Sequence, residues 1–298
     1  MPVVLGPNRY GKAETRLVRV TRDGGVHHLK DLNVSTALSG DMEDAHLTGD
    51  NSAVLPTDTQ KNTVYAFARR HGVDQIEEFA LLLARHHVGS QPPIRHARVE
   101  IEEYSWDRIT PAGDPGDRRH SFVRSGAGVR TCVVHHDADG RTTVVSGLAD
   151  LTVMNTTGSE FHGFARDEYT TLAPATDRIL ATAVTARWRH ASPDPPPGGS
   201  YAKSHAEVRR CLLEAFAQTH SLSLQQTLYA MGRRALETRP EICEVRLALP
   251  NRHHFPVDLE PFGLDNPGEV FYAADRPYGL IEGAVLSEGA PGAGFAWD

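Results

Sequence analysis

Thr63-Val64-Tyr65-Ala66-Phe67-Ala68-Arg69-Arg70 lines up with Thr227-Leu228-Tyr229-Ala230-Met231-Gly232-Arg233-Arg234, and five of the eight positions agree. Eight residues alone would mean little, but the pattern around them repeats as well. Ahead of the first stretch, Leu17–Val20 is short and β-branched, and Leu32, Val34, Thr36 and Leu38 alternate with polar or small residues. Asp23-Gly24-Gly25 between them is turn chemistry, so residues 9–38 read as a strand pair. Gly40 to Ser52 is polar and reads as a loop. Two helices follow. Thr57 or Asp58 is placed to cap the first, whose buried face would use Val64, Phe67 and Ala68. Asp74-Gln75-Ile76-Glu77 has capping-box spacing for the second, with Ile76, Phe79, Ala80, Leu83 and His87 at helical intervals. Residues 97–102 alternate again, and Thr131–His136 and Thr142–Ser146 flank an Asp139-Gly140 turn.

The second half follows the same plan. Strands are expected near 142–154 and 177–189, then a Pro/Gly stretch at 193–199. A helix should open on the capping box Ser204-His205-Ala206-Glu207, and another should follow Ser223. Cys243, Val245, Leu247 and Leu249 alternate as a strand, and Val270–Ala273 is expected as a last short one. Each half is therefore ββααββ, an antiparallel sheet with two helices on one face, giving an α+β chain with halves at 1–139 and 140–298. Sheets of this kind leave edges that invite pairing between subunits.

Composition sets limits on function. Among 298 residues, 40% are hydrophobic and 23% charged, an ordinary globular balance. Lys and Arg number 31 against 38 Asp and Glu, a net charge of −7 that disfavours a general nucleic-acid binder. No 18-residue apolar run suggests a membrane span, and no secretory signal is visible at the start. Cys132, Cys211 and Cys243 are widely spaced and form no disulfide framework, which suits a reducing compartment. The final Phe295-Ala296-Trp297-Asp298 is not a Ser-Lys-Leu type of peroxisomal address, so the cytoplasm is the expected location. The histidine pairs 27–28, 86–87, 135–136 and 253–254 lack i,i+4 or cysteine partners, and adjacent strand residues face opposite ways. No metal site is expected from them.

One stretch fits neither period: Phe161-His162-Gly163-Phe164-Ala165-Arg166-Asp167-Glu168-Tyr169-Thr170-Thr171-Leu172-Ala173-Pro174-Ala175-Thr176-Asp177-Arg178-Ile179-Leu180. It reads as a shaped loop that delivers side chains to a site. An aromatic face and a guanidinium together suit a flat, anionic, hydrogen-bonding ring. Phe161 and Arg178, seventeen residues apart, resemble the purine grip of the uricase (urate oxidase) family. Four further segments resemble that family in order and spacing: Tyr10-Gly11-Lys12, Thr57-Asp58-Thr59-Gln60-Lys61-Asn62-Thr63, Leu224-Gln225-Gln226-Thr227 and Leu249-Pro250-Asn251-Arg252-His253. The likeness runs from Tyr10 to Gly279-Leu280-Ile281.

The resemblance implies tandem tunnelling-fold domains that close into a barrel on dimerisation, with two barrels stacked as a homotetramer. It implies cofactor-free oxidation of urate by O2 and water to 5-hydroxyisourate and hydrogen peroxide. Phe161 would stack on the ring, and Arg178 and Gln225 would grip its pyrimidine edge with help from the Leu224 amide. Where the family often has Val, this chain has Leu224, and only its backbone is used. Thr57 and the backbone of Asp58 would meet the five-membered edge. Lys12, bonded to Thr57, would take a proton, Asn251 would hold O2 or water, and His253 would bond to Lys12 and complete the relay. Sites would be shared between subunits, Lys12 and Thr57 coming from one and the clamp from another. Two rival readings remain: another tunnelling-fold enzyme acting on a purine or pterin, for which zinc is the usual requirement, and a non-catalytic purine-binding protein.

Overall fold

The computed structural model describes residues 1–110, 120–126, 128–195 and 199–298. The loop at 114–119 and part of the Pro/Gly stretch lie outside them. Two compact units emerge, the first from Met1–Gly147, Arg189–Lys203 and Pro291–Asp298, the second from Leu148–Trp188 and Ser204–Ala290.

The first unit begins with strands β1 (Tyr10–Asp23) and β2 (Val26–Gly40), paired antiparallel across the two-glycine turn. Gly24 supplies the φ of +56° this tight reversal needs. A short helix α1 (Asp44–Leu47) interrupts the segment expected as loop. Helices α2 (Thr57–His71) and α3 (Ile76–Ser90) follow, then β3 (Ile94–Tyr104), a small hairpin of β4 (Trp106–Arg108) and β5 (Phe122–Arg124), and β6 (Val129–Asp137). β2 pairs with β3 and β3 with β6, all antiparallel. Leu32, Val34 and Leu38 of β2 and Ala97, Val99 and Ile101 of β3 meet Val64, Ala68, Ile76, Ala80 and Leu83 of the helices in one core. Burying apolar side chains at alternate strand positions and one helical stripe is what holds this layer together.

The second unit takes up β7 (Thr142–Asn155) from Leu148 onward, β8 (Leu180–His190) as far as Trp188 and α4 (Tyr201–Gln218) from Ser204 onward, then α5 (Leu224–Thr238), β9 (Ile242–Pro256) and β10 (Phe271–Leu286). Its core packs Leu180, Val184 and Trp188 against Val208, Leu212, Phe216, Leu228 and Met231. β9 and β10 are antiparallel, with an irregularity between Ala274 and Gly279.

The ββααββ order thus holds in both units, in an antiparallel α+β architecture. The eight-residue match that suggested it falls on non-equivalent helices: 63–70 lie on α2, the first of its pair, and 227–234 on α5, the second. What the two share is a job. Each packs on an outermost strand of its own unit, α2 on β1 and α5 on β10. Ala68, which is buried, and Gly232 hold the matched position on the two helices; a Cβ at Gly232 would lie 2.6 Å from Val285 Cγ2.

Several local expectations are corrected. α2 begins at Thr57 after Pro56, so Thr57 is the first helical residue and no side chain caps that end. α3 is entered from an extended Gln75, whose Oε1 accepts the Ala202 amide at 2.7 Å, and Asp74 forms no capping box. α4 starts at Tyr201, ahead of the expected box, so Ser204 is inside the helix and donates to Glu241 Oε1 at 2.7 Å. Only Ser223 caps as read: its Oγ accepts the Gln226 amide, while Gln226 Oε1 accepts the Leu222 amide. The last strand runs sixteen residues, far past Ala273. Pro277, Gly279 and Gly283 break its alternation in the sequence, yet Gly283 is what admits Leu228 of α5, to 3.0 Å from where a Cβ would stand.

Candidate active site

In the first unit, Lys12 lies on β1 directly opposite Thr36 of β2. Thr36 Oγ1 donates to Gln60 Oε1 at 2.7 Å, a buried bond that ties the strand to the first turn of α2. Tyr10, two residues before Lys12, donates its hydroxyl to Leu55 O at 3.0 Å, just ahead of Thr57. These two ties bring the Lys12 segment and the start of α2 together. Lys12 and Thr57 are both half-buried, and the lysine's charge helps hold the exposed Asp58 carboxyl below its usual range, behind the larger effect of Lys61. No hydrogen bond joins Lys12 to Thr57. The hydroxyl and the ammonium remain available to a ligand.

The second unit gathers the other candidates around the long β7–β8 connection. Phe161 exchanges two backbone hydrogen bonds with Ala175, at 2.8 and 2.9 Å, closing residues 161–175 into a loop. Asp177 accepts from Thr157 Oγ1 at 2.7 Å and from the Gly158 amide at 2.9 Å, fixing the start of the connection to its end. The result places the Arg178 guanidinium over the Phe161 ring, 5.3 Å from its centroid. Phe164 stacks on Phe161 with centroids 5.1 Å apart and planes at 12°. The same segment is stitched to the entrance of α5, since Glu160 N donates to Ser221 O at 2.7 Å and Ser221 N to Gly158 O at 2.9 Å. Ser221 is two residues from the Ser223 cap, so Leu224 and Gln225, at the first two positions of α5, are set by the same brace. The first amides of a helix have no internal partners, which suits the Leu224 backbone for an acceptor on a ligand.

Arg178 carries the most informative signature. Burial pulls its pKa below the ordinary arginine value, and its Nε is buried with no hydrogen-bond partner. A cation held in this way leaves a donor unsatisfied until an acceptor arrives. Asn251 and His253 come from β9, where the strand faces the irregular part of β10; Asn251 pairs with Gly279 and His253 with Ala274. Asn251 is nearly buried. His253 lies parallel to Phe255, and its pKa is lowered by burial first, then by the Arg178 and His254 charges. It is therefore a neutral imidazole at neutral pH, able to accept or pass a proton.

The sequence reading missed the braces. Asp177 and Glu160 are fixed by partners distant in sequence, and their letters carry no signal of it. The charged Arg166-Asp167-Glu168-Tyr169 run proves to be turn chemistry, with Asp167 accepting the Tyr169 amide at 3.0 Å. Among the described residues no group of three or more His, Cys, Asp or Glu side chains converges as a metal site.

A sequence model of the Uricase family matches residues 8–135 and 144–282. The uricase of Arthrobacter globiformis is 53% identical over 288 residues, 97% of this chain and 91% of the relative. A Danio rerio uricase is 34% identical, over 93% of this chain and 92% of its own length. The crystal structure of the Arthrobacter globiformis uricase superposes with a TM-score of 0.92 at 52% identity, covering 100% of this chain and 99% of that one. A uricase from Bacillus fastidious gives 0.80 at 26% identity, covering 96% of each. With likeness at this level along nearly its full length, and with the same antiparallel α+β fold, the chain belongs to the uricase family.

Proposed function

We propose that the protein is a urate oxidase that converts urate, O2 and water to 5-hydroxyisourate and hydrogen peroxide without a bound cofactor. The observation that carries this reading is the buried, unpartnered Nε of Arg178 beside the Phe161 face. Urate at neutral pH is a planar monoanion. Arg178 offers its pyrimidine edge two charge-assisted bonds, Gln225 donates and accepts alongside, and Phe161 takes the ring face. Each charged bond contributes roughly 1.5–3 kcal/mol and the stack about 1 kcal/mol, which after ordering costs suits a micromolar substrate.

O2 is a triplet and reacts slowly with closed-shell molecules, so the substrate must become a strong one-electron donor. Removing a second proton from urate does this. Lys12, with Thr57 as the connecting hydroxyl, is the proposed acceptor of that proton. His253, held neutral, extends the relay, and Asn251 is the proposed seat for O2 and then for water.

Lys12 and Thr57 belong to one unit, and Phe161, Arg178, Gln225, Asn251 and His253 to the other. The proposed assembly is a homotetramer in which a site draws each set from a different subunit. Support comes from the outermost strands: β1 exposes Val18 and Val20, and β10 exposes Tyr272, Tyr278, Leu280 and Leu286. Apolar, unpaired edges of this kind call for a partner. Cytoplasmic residence agrees with three buried free cysteines. Among the described residues, no helix is long and apolar enough to cross a membrane. The test is loss of urate absorbance, with matching peroxide, by purified protein freed of metals with EDTA. Activity that vanishes with EDTA and returns with zinc or copper would overturn the cofactor-free reading.

A further inference from the structure

We infer that a β-bulge built on Glu14 and Ser35 is the device that turns Lys12 toward the start of α2, making these two positioning residues for the proton relay. The inference rests on the proposed role of Lys12. The register changes between Lys12, opposite Thr36, and Thr15, opposite Val34. Ala13 and Glu14 together therefore face the single residue Ser35. Glu14 stands at φ +56°, a left-handed conformation uncommon for a residue other than glycine, and its amide donates to Ser35 Oγ at 2.9 Å. The serine hydroxyl thus replaces the ladder bond that the extra residue removes.

The bulge decides which way the lysine faces. Thr36, Val34 and Leu32 are buried on the helix side of β2, and their partners on β1 are Lys12, Thr15 and Leu17. Lys12 and Leu17 are an odd number of residues apart, so on a regular strand they would point to opposite faces. A ladder extended without the bulge from Thr15 would set Ala13 against Thr36 and Lys12 against Ala37, on the face away from α2. Gly11 guards against that slip. It now sits opposite Ala37, where a Cβ would fall 1.8 Å from Thr36 O. A lysine cannot take that place unless the backbone moves.

The test combines activity with a direct reading of Lys12. Glu14→Val places a β-branched residue where φ is positive and should drive the strand out of its bulge. Turnover is expected to fall roughly 100-fold or more, the usual scale for loss of a positioned acid–base group. KM should change little, and acylation of the Lys12 amine, followed by mass spectrometry, should accelerate. Ser35→Ala should do the same more weakly, and Ser35→Thr, which keeps the hydroxyl, should not. Deleting Ala13 in the Glu14→Val background removes the surplus residue, so a regular ladder again points Lys12 inward and activity should return. Unchanged turnover and labelling in Glu14→Val overturns the inference, as does failure of the deletion to restore activity in a folded protein. Altered labelling with unchanged turnover would instead leave the positioning intact and remove Lys12 from the proposed mechanism.

Discussion

The two units share one order of elements but join their first strand pair in opposite ways. β1 and β2 meet across Gly24-Gly25, whereas β7 and β8 are separated by residues 156–179, which carry Phe161 and Arg178. The first unit therefore presents its candidates on regular elements, Lys12 on a strand and Thr57 at a helix start. The second presents Phe161 and Arg178 on an irregular loop held by Asp177, Ala175 and Ser221. A proton acceptor needs a defined direction, which a strand face supplies. Gripping a ring from its face and its edge needs groups at odd angles, which a braced loop supplies. The units also differ inside. The buried histidines His87, His135 and His190 all belong to the first.

The largest effect should come from separating the two roles. Lys12→Ala and Arg178→Ala are each expected to lose turnover by orders of magnitude. If each site takes its relay from one subunit and its clamp from another, co-refolding the two dead variants should restore about a quarter of wild-type activity, as random isologous pairing dictates. Activity no greater than the sum of the parents, in a proven mixed oligomer, means that one chain builds its own site.

Acid should separate the units next. Burial lowers the His87 pKa to about 4 from 6.5, and both ring nitrogens lack partners. The unfolded chain takes up a proton below 6.5 while the folded chain resists until about 4. Stability should be full above that window, fall by on the order of 3 kcal/mol as pH drops through it, and level off beneath it. His87→Leu should make this slope shallower in denaturant titrations, with the remainder carried by His135, whose pKa burial lowers to about 3. A slope identical to wild type would show that His87 does not carry it.

Arg178→Lys should weaken urate or urate-analogue binding by roughly 10- to 150-fold, since a point charge cannot replace a planar fork. Tight binding by this variant would mean the anion is anchored elsewhere. The comparison of α2 with α5 can be sharpened at lower cost. Gly232→Ala should destabilise by about 1–3 kcal/mol through the clash with Val285, although the matched position on α2 is already Ala68. Equal thermal stability would show that α5 can shift on β10. Ser223→Ala should cost about 1 kcal/mol from the lost cap, whereas Thr57→Ala should cost less, because Thr57 caps nothing.

The sequence by itself carried the class of fold and the family. Periods of two and 3.6, with Gly-rich turns between them, follow from local burial and local backbone freedom, so the letters of Leu32–Leu38 or Cys243–Leu249 suffice to write them. The candidate residues were legible as well, because Phe161, Arg178, Gln225 and Asn251 resemble the family in type and spacing. Other features were decided only in three dimensions. Gln75 looked like the second residue of a capping box, but its side-chain oxygen accepts the backbone amide of Ala202, far along the chain. Gly283 in β10 looks like a strand breaker until Leu228 of α5 is packed against it. The face of Lys12 depended on a bulge whose two halves, Glu14 and Ser35, lie on different strands. In each case the deciding partner is distant in sequence, and a side chain's neighbours across the fold, not its period along the chain, set what it can do.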